Sequence, residues 1–264
     1  MKRVLFSVAI LAASVCAADE ITSSNVLGIL PVTSSAKRTI VAVPWCAMSA
    51  TDDAAIQVSN VVKTANLTAG DMLHYVNSNG SYLSWRLANG AGDVKYWESV
   101  NIATEGDVSV SPSAHNQPVS RGNCIVLIRQ DPGTKASPKT FYLYGQVGTS
   151  ASVETSVAAG TTESPAYTLI AAPTAAAWSV NGISWSDVGE NDMICIMLEN
   201  GFQKFLTFRN AKWGSMEPTY DEVNKIKIGE TWTEYTTSIP AGLGAWYISQ
   251  GGDPTITWSG VPVK

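Results

Sequence analysis

The apolar residues of this chain fall into short runs of strand length, each bounded by turn residues. Residues 193–198 are an uninterrupted apolar run, Asn200-Gly201 follows, and residues 202–208 return with alternating character. Asn-Gly favours the tight hairpin turn because both central residues must take positive φ. The same sentence is written earlier, with residues 72–76, Asn79-Gly80 and residues 82–86. Further strand-length segments cover residues 124–129, 141–147, 245–249 and 255–261. They are rich in Val, Ile, Thr, Tyr and Trp, the residues that fit a pleated surface. No long stretch carries a clean helical period. Residues 52–63, with Ala54-Ala55-Ile56 and Val61-Val62, are the best candidate for a short helix or turn.

The pattern occurs twice. Thr39-Ile40-Val41-Ala42-Val43-Pro44 reappears as Thr168-Leu169-Ile170-Ala171-Ala172-Pro173. Asp71 before the first hairpin matches Asp192 before the second, Gly122 with Gln130 matches Gly242 with Gln250, and Arg86 matches Arg209 at a strand end. The expected architecture is all-β: two tandem β-sandwich-like repeats with hairpins and little helix, over residues 18–150 and 151–264. About 100 residues per repeat suits a small sandwich. Residues 148–165 between them read equally as a Ser/Thr/Ala/Gly linker or, through Val153 and Val157, as more sheet. Residues 104–117 lengthen the first copy and residues 214–229 the second, and both insertions are expected in surface loops.

Composition adds a location. Lys2 and Arg3, the apolar residues 4–15, and the small residues around Cys16-Ala17 form a secretory leader over residues 1–17. A lipidated Cys16 is the rival reading, and Val15 is bulky for the residue before a lipid-bearing cysteine. The chain is therefore expected to be secreted or at the cell surface, with the periplasm as a further option and no membrane span in the mature chain. Without Lys2 and Arg3, 15 basic residues stand against 22 acidic, a net charge of −7. Nucleic acid and anionic membranes need basic faces, so neither is expected as a partner. Three cysteines remain after the leader, Cys46, Cys124 and Cys195, which allow at most one internal disulfide. Cys46 with Cys124 is the pairing within one copy; three buried thiols are the alternative.

Candidate chemistry is sparse. His74 and His115 are the two histidines, and neither has a counterpart in the other copy. A Ser-His or Cys-His site would have to use one of them. No Cys or His pair stands at zinc-ligand spacing, and no phosphate loop is written. Asp71 and Asp192 could serve as a carboxylate pair, but each immediately precedes a strand, where a carboxylate caps a turn by accepting backbone N–H bonds. Arg86 and Arg209 are placed to pair with them across the sheet end. Catalytic residues, metals and cofactors are therefore not assigned, and an enzyme is not expected. Nine tryptophans are the strongest hint of binding, because indole stacks on the apolar faces of sugars. Trp85, Trp97, Trp213 and Trp232 border turns or insertions and are the candidates for exposure.

The opening Asn25-Val26-Leu27-Gly28, the strands ending Ala42 to Pro44 and Ala171 to Pro173, the Asn-Gly hairpins and the late Pro240-Ala241-Gly242-Leu243-Gly244-Ala245-Trp246-Tyr247 resemble a family of uncharacterised exported two-repeat β-proteins of verrucomicrobial and related bacteria. Val119 to Cys124 departs from the late segment of that pattern. The resemblance implies export and a β-fold, and no reaction. The expected function is an exported structural or adhesive β-module, a possible assembling subunit whose partner is itself. The alternative is a carbohydrate-binding module that meets extracellular glycan through exposed tryptophan.

Overall fold

The computed structural model describes residues 27–48, 53–77, 81–101, 108–110, 117–198, 203–221, 223 and 226–261. The leader, both Asn-Gly turns, His115 and most of the first insertion lie outside these residues. The fold is all-β and antiparallel. One six-stranded sheet runs β2 (Arg38–Ala42), β9 (Cys124–Ile128), β4 (Met72–Val76), β5 (Tyr82–Asn89), β6 (Lys95–Asn101) and β7 (Val108–Val110). A second runs β13 (Ala166–Ile170), β19 (Ala245–Ser249), β15 (Met193–Met197), β16 (Gln203–Arg209), β17 (Lys212–Tyr220) and β18 (Lys227–Glu234). Position for position, the strand orders are the same.

Each large sheet is covered on one face by a smaller one. β1 (Leu27–Ser34) pairs with β11 (Ser137–Gln146), which also meets the short β10 (Gly133–Thr134). In the second half β12 (Ser152–Ser156), β20 (Thr255–Ser259) and β14 (Ser184–Ser186) take this place. Residues 148–165 thus contain a strand, and Val157 is buried. The short pair β3 (Ile56–Gln57) and β8 (Pro118–Val119), and a four-residue helix α1 (Val58–Val61), close the side of the first half.

Strand alternation builds both cores. β1 alternates exposed and buried without a break, so Leu30 and Val32 face inward with Phe141 and Leu143 of β11. They pack on Leu73, Trp85, Leu87, Ile125 and Leu127 of the first large sheet. In the second half Ile256 and Trp258 of β20 pack on Ile170, Ile194, Leu206, Trp213 and Tyr247. Each such side chain stabilises the fold by roughly 1.5–3 kcal/mol on burial.

The two large sheets meet through their outer faces. Ile40, Ala42, Cys124 and Val126 pack against Leu169 and Ala171, with Met197 and Trp246 at the margin. The backbone joins them reciprocally. The Ala42 N–H donates to the Gly242 carbonyl at 2.9 Å, and the Ala171 N–H to the Gly122 carbonyl at 3.4 Å. Gly122 and Gly242 hold φ of +89° and +76°, the left-handed region that glycine enters without strain. Gly244 allows the closest approach: a Cβ there would stand 2.5 Å from the Cys124 sulfur. Cys46, Cys124 and Cys195 are all free and buried, so no disulfide joins the described residues.

One carboxylate closes each half. Asp71 accepts from the Thr68 N–H at 2.9 Å and the Gln130 N–H at 2.7 Å. Asp192 accepts from the Gly189 N–H at 2.8 Å, the Gln250 N–H at 2.6 Å and the Tyr247 hydroxyl at 2.6 Å. Both aspartates are buried. Gln130 and Gln250 each return a side-chain amide bond to the backbone carbonyl just before its aspartate, at Gly70 and Asn191. The expected pairing of Arg86 and Arg209 with these aspartates does not occur. Arg86 pairs with Glu98 directly across β5–β6 at 2.8 Å, and Arg209 is exposed at the β16–β17 turn. Strand pairing explains the difference. Met72 faces Arg86 whereas Met193 faces Thr207, so Arg209 lies two residues beyond the position that matches Arg86.

Removing the Asp192 carboxylate leaves three donors without an acceptor. Asp192→Ala is expected to cost at least about 3 kcal/mol, and Tyr247→Phe about 1 kcal/mol. Urea denaturation of the mature chain measures both. A loss below about 1 kcal/mol for Asp192→Ala would show that the carboxylate does not hold the half closed.

Candidate functional site

Three of the four tryptophans expected at the surface are core residues. Trp85, Trp97 and Trp213 are buried. A border with a turn does not decide which face a strand residue takes; parity does. Trp85 shares the inward parity of Leu83 and Leu87, Trp97 stands opposite Leu87, and Trp213 opposite Phe208. Trp213 is enclosed by Phe208, Trp185 and Tyr247, with ring centroids 5.0, 5.2 and 5.8 Å away. These three cannot form a shared sugar platform. Trp232 is half-buried on β18, opposite Met216, and its ring lies over Gly214.

The second insertion is a hairpin. Residues 214–229 continue β17 and open β18, at the edge of the second large sheet. Beyond Met216 the ribbon leaves the core, and Pro218, Thr219 and Tyr220 and nearly all of β18 are exposed. Cross-strand pairs stiffen it: Thr219 with Thr231 at 3.1 Å, and Lys204 with Glu217 at 2.8 Å. Its charges are largely matched within the ribbon, by Lys227 with Glu230 and Lys212 with Glu234. Its apolar side chains are not covered: Phe205, Met216, Tyr220, Ile226 and Ile228 are exposed, and Val223 is 87% exposed.

A cleft of ≈ 550 Å³ opens where the halves meet. The two repeated prolines, Pro44 and Pro173, stand on it, and each leads into a tryptophan of its wall, Trp45 and Trp178. Trp258 lies edge-on to Trp178 with centroids 5.3 Å apart. The Trp178 indole N–H donates to the Leu243 carbonyl and that of Trp258 to the Thr155 hydroxyl. Trp45 lies over Gly28 and Gly145, and its indole N–H is buried with no acceptor. Arg121 is the one charged side chain of the lining. It is buried, donates to the Asp53 carboxylate at 3.0 Å and to the Ser150 carbonyl at 2.6 Å, and leaves its Nε–H unpaired.

Asp53 is tightly held. It also accepts from the backbone N–H groups of Thr149 and Ser150 and from the Cys46 thiol. Burial pushes its carboxyl up. The hydrogen bonds from Ser150 and Thr149 and the charge of Arg121 outweigh this and hold it below its ordinary value.

The remaining chemical candidates are packed strand residues. His74 Nδ1 is 2.8 Å from the Ser84 hydroxyl. Burial and the charge of Arg38 lower its pKa, and its Nε2 is buried with no partner. A catalytic pair needs a third group orienting the imidazole, and the described residues supply none. They also contain no group of three or more His, Cys, Asp or Glu placed to hold a metal. No described helix is long and apolar enough to cross a membrane.

Two arginines were not legible as buried. Arg129 donates to the carbonyls of Lys139 and Ser34 and lies 5.2 Å above the Phe141 ring. The alternation Ile125, Leu127, Arg129 carried the signal for an inward arginine. Arg121 had no such signal, because its partner Asp53 is 68 residues away.

No protein-family model matches the chain, and neither the curated proteins nor the solved structures contain a match.

The Asp53 shift sets a pH dependence. Its folded pKa is depressed, so its contribution is fully present above the unfolded value of 3.8 and is lost as pH falls through the folded one. In that window the unfolded chain binds more protons, so stability rises with pH. The stability gap between the natural protein and Asp53→Asn is expected to be constant above about pH 5 and to shrink below about pH 4. Urea midpoints across this range measure it; a gap that does not narrow in acid would remove Asp53 from the account.

Proposed function

We propose that this protein is an exported structural or adhesive β-module that assembles through the edge of its second large sheet. The observation that carries the reading is the β17–β18 hairpin. An exposed edge strand offers a row of unpaired backbone groups to another chain, and natural sheets protect such edges. Here part of that protection is present, in Pro218, in charged residues and in a register shift between Thr219 and Tyr220. The apolar side chains nevertheless remain outward, on both strands and on the connecting segment at Val223 and Ile226. Pairing of edges gives affinity through main-chain bonds, and side chains give specificity.

The leader over residues 1–17 and the resemblance to exported two-repeat β-proteins support a location outside the cytoplasm. The equal strand order of the large sheets and their matched aspartate clamps support a duplicated scaffold. The glycan-binding alternative keeps only Trp232 of its four original tryptophans at the surface.

The mature chain is expected to show concentration-dependent mass in sedimentation or light scattering. Ile228→Lys together with Met216→Lys should weaken association at least about tenfold, since each removes an apolar contact of roughly 1–2 kcal/mol. Both positions are exposed, so the thermal midpoint should not move. A mass that stays monomeric at high concentration would sink the assembly reading.

A further inference from the structure

We propose that the cleft between the two halves is a binding site for a small uncharged carbohydrate, either a free sugar or the end of a glycan. This is independent of the sheet edge. Ligand sites favour junctions between structural units, and ≈ 550 Å³ lies within the usual range for them.

The lining selects the chemistry. Its walls are apolar: Trp45, Trp178 and Trp258, the two prolines, and the alanines that follow Pro173. Two of the three indole N–H groups are already bonded within the protein. The Trp45 indole N–H and the Arg121 Nε–H are not, and both residues line the cleft. Arg121 is held with its side chain 3% exposed. A hydrocarbon ligand would cover these donors and leave them unpaired, at the full desolvation cost. An ionic ligand meets the opposite objection. The only charge in the lining is Arg121, and Asp53 already neutralises it. A charged group would be desolvated there without a free counter-charge. What remains is an uncharged molecule with an apolar face for the walls and oxygen acceptors for the two N–H groups. A pyranose ring has both. Thr174, Ser179 and Ser259 stand on the same lining, where they can exchange bonds with sugar hydroxyls.

The mature protein, kept dilute enough to be monomeric, is titrated with glucose, galactose, N-acetylglucosamine and their short oligosaccharides. Binding is followed by tryptophan fluorescence and by saturation-transfer NMR. Saturable binding of at least one neutral sugar at millimolar concentration is expected. Trp45→Phe keeps the ring and removes the donor, so it should weaken binding roughly fivefold. Ala177→Trp fills the cleft from an exposed position and should abolish binding without moving the unfolding midpoint; if that variant does not fold, Trp45→Phe decides alone. Tighter binding of oligosaccharides than of single sugars assigns the site to glycan ends, and equal binding to free sugars. The proposal is overturned if no neutral sugar saturates the protein, if glucuronate binds better than glucose, or if Trp45→Phe leaves the affinity unchanged. Light scattering on the same samples reports assembly separately, so failure of one reading does not decide the other.

Discussion

A buried carboxylate is an expensive thing to place in a β-sandwich, and this fold does it twice at the same point. The cost is offset only when the oxygens are fully hydrogen-bonded. Asp71 and Asp192 meet that condition by taking N–H groups from two segments about sixty residues apart, the turn before their own strand and the end of β9 or β19. The local bond fixes the entry into the hairpin. The distant bond fixes where the strand from the far end of the repeat must finish. Since β9 and β19 are also the strands that meet the other half, the clamps set the register of the inter-sheet contact as well. The second clamp is stronger by one partner. The Tyr247 hydroxyl, whose ionisation burial and the Asp192 carboxylate both suppress, donates from the core side.

The contact between halves follows from that register. Gly122 and Gly242 sit at the turns entering the clamped strands, and each lends its carbonyl to the opposite half. A side chain at Gly244 would collide with Cys124 and with the Ile170 carbonyl. The backbone bonds and the small residues therefore require one another: close approach brings the donors within reach, and the donors satisfy polar groups that close approach would otherwise bury. Cys124 is part of this packing, and burial pushes its thiol well above the ordinary range, which keeps it unreactive.

Much of this was written locally, and so was legible. Strand positions followed from alternation: β4 and β19 coincide with the apolar runs at residues 72–76 and 245–249. The capping role of the two aspartates followed from their place before a hairpin. What failed depended on which face a residue takes and on partners far along the chain. Trp85, Trp97 and Trp213 were judged by their neighbourhood to turns, although two-residue parity places all three inward. Arg86 and Arg209 were matched along the chain, although strand pairing shifts one against the other by two residues. The Arg121–Asp53 pair and the Trp45–Trp178–Trp258 wall exist only because the halves come together, and no local pattern carries them.

The same scaffold leaves the two halves chemically different, and the difference lies on the outer faces. Across the first large sheet one row runs Ile40, Val126, His74, Ser84, Val100, and the next contains Arg86 and Glu98. The corresponding row of the second begins Leu169, Trp246, Cys195, Phe205, with Met216 and Trp232 paired on the strands beyond it. The first is polar where it leaves the contact between halves, and its polar groups bond to one another, His74 to Ser84 and Arg86 to Glu98. The second stays apolar out to the edge. An apolar face that continues from a packed contact into solvent costs solubility unless something covers it. A duplicated unit needs only one such face to join copies into an assembly; two would make every surface of the molecule adhesive. Polarity on the first sheet thus confines association to the second, and the cleft between the halves is left open to a ligand.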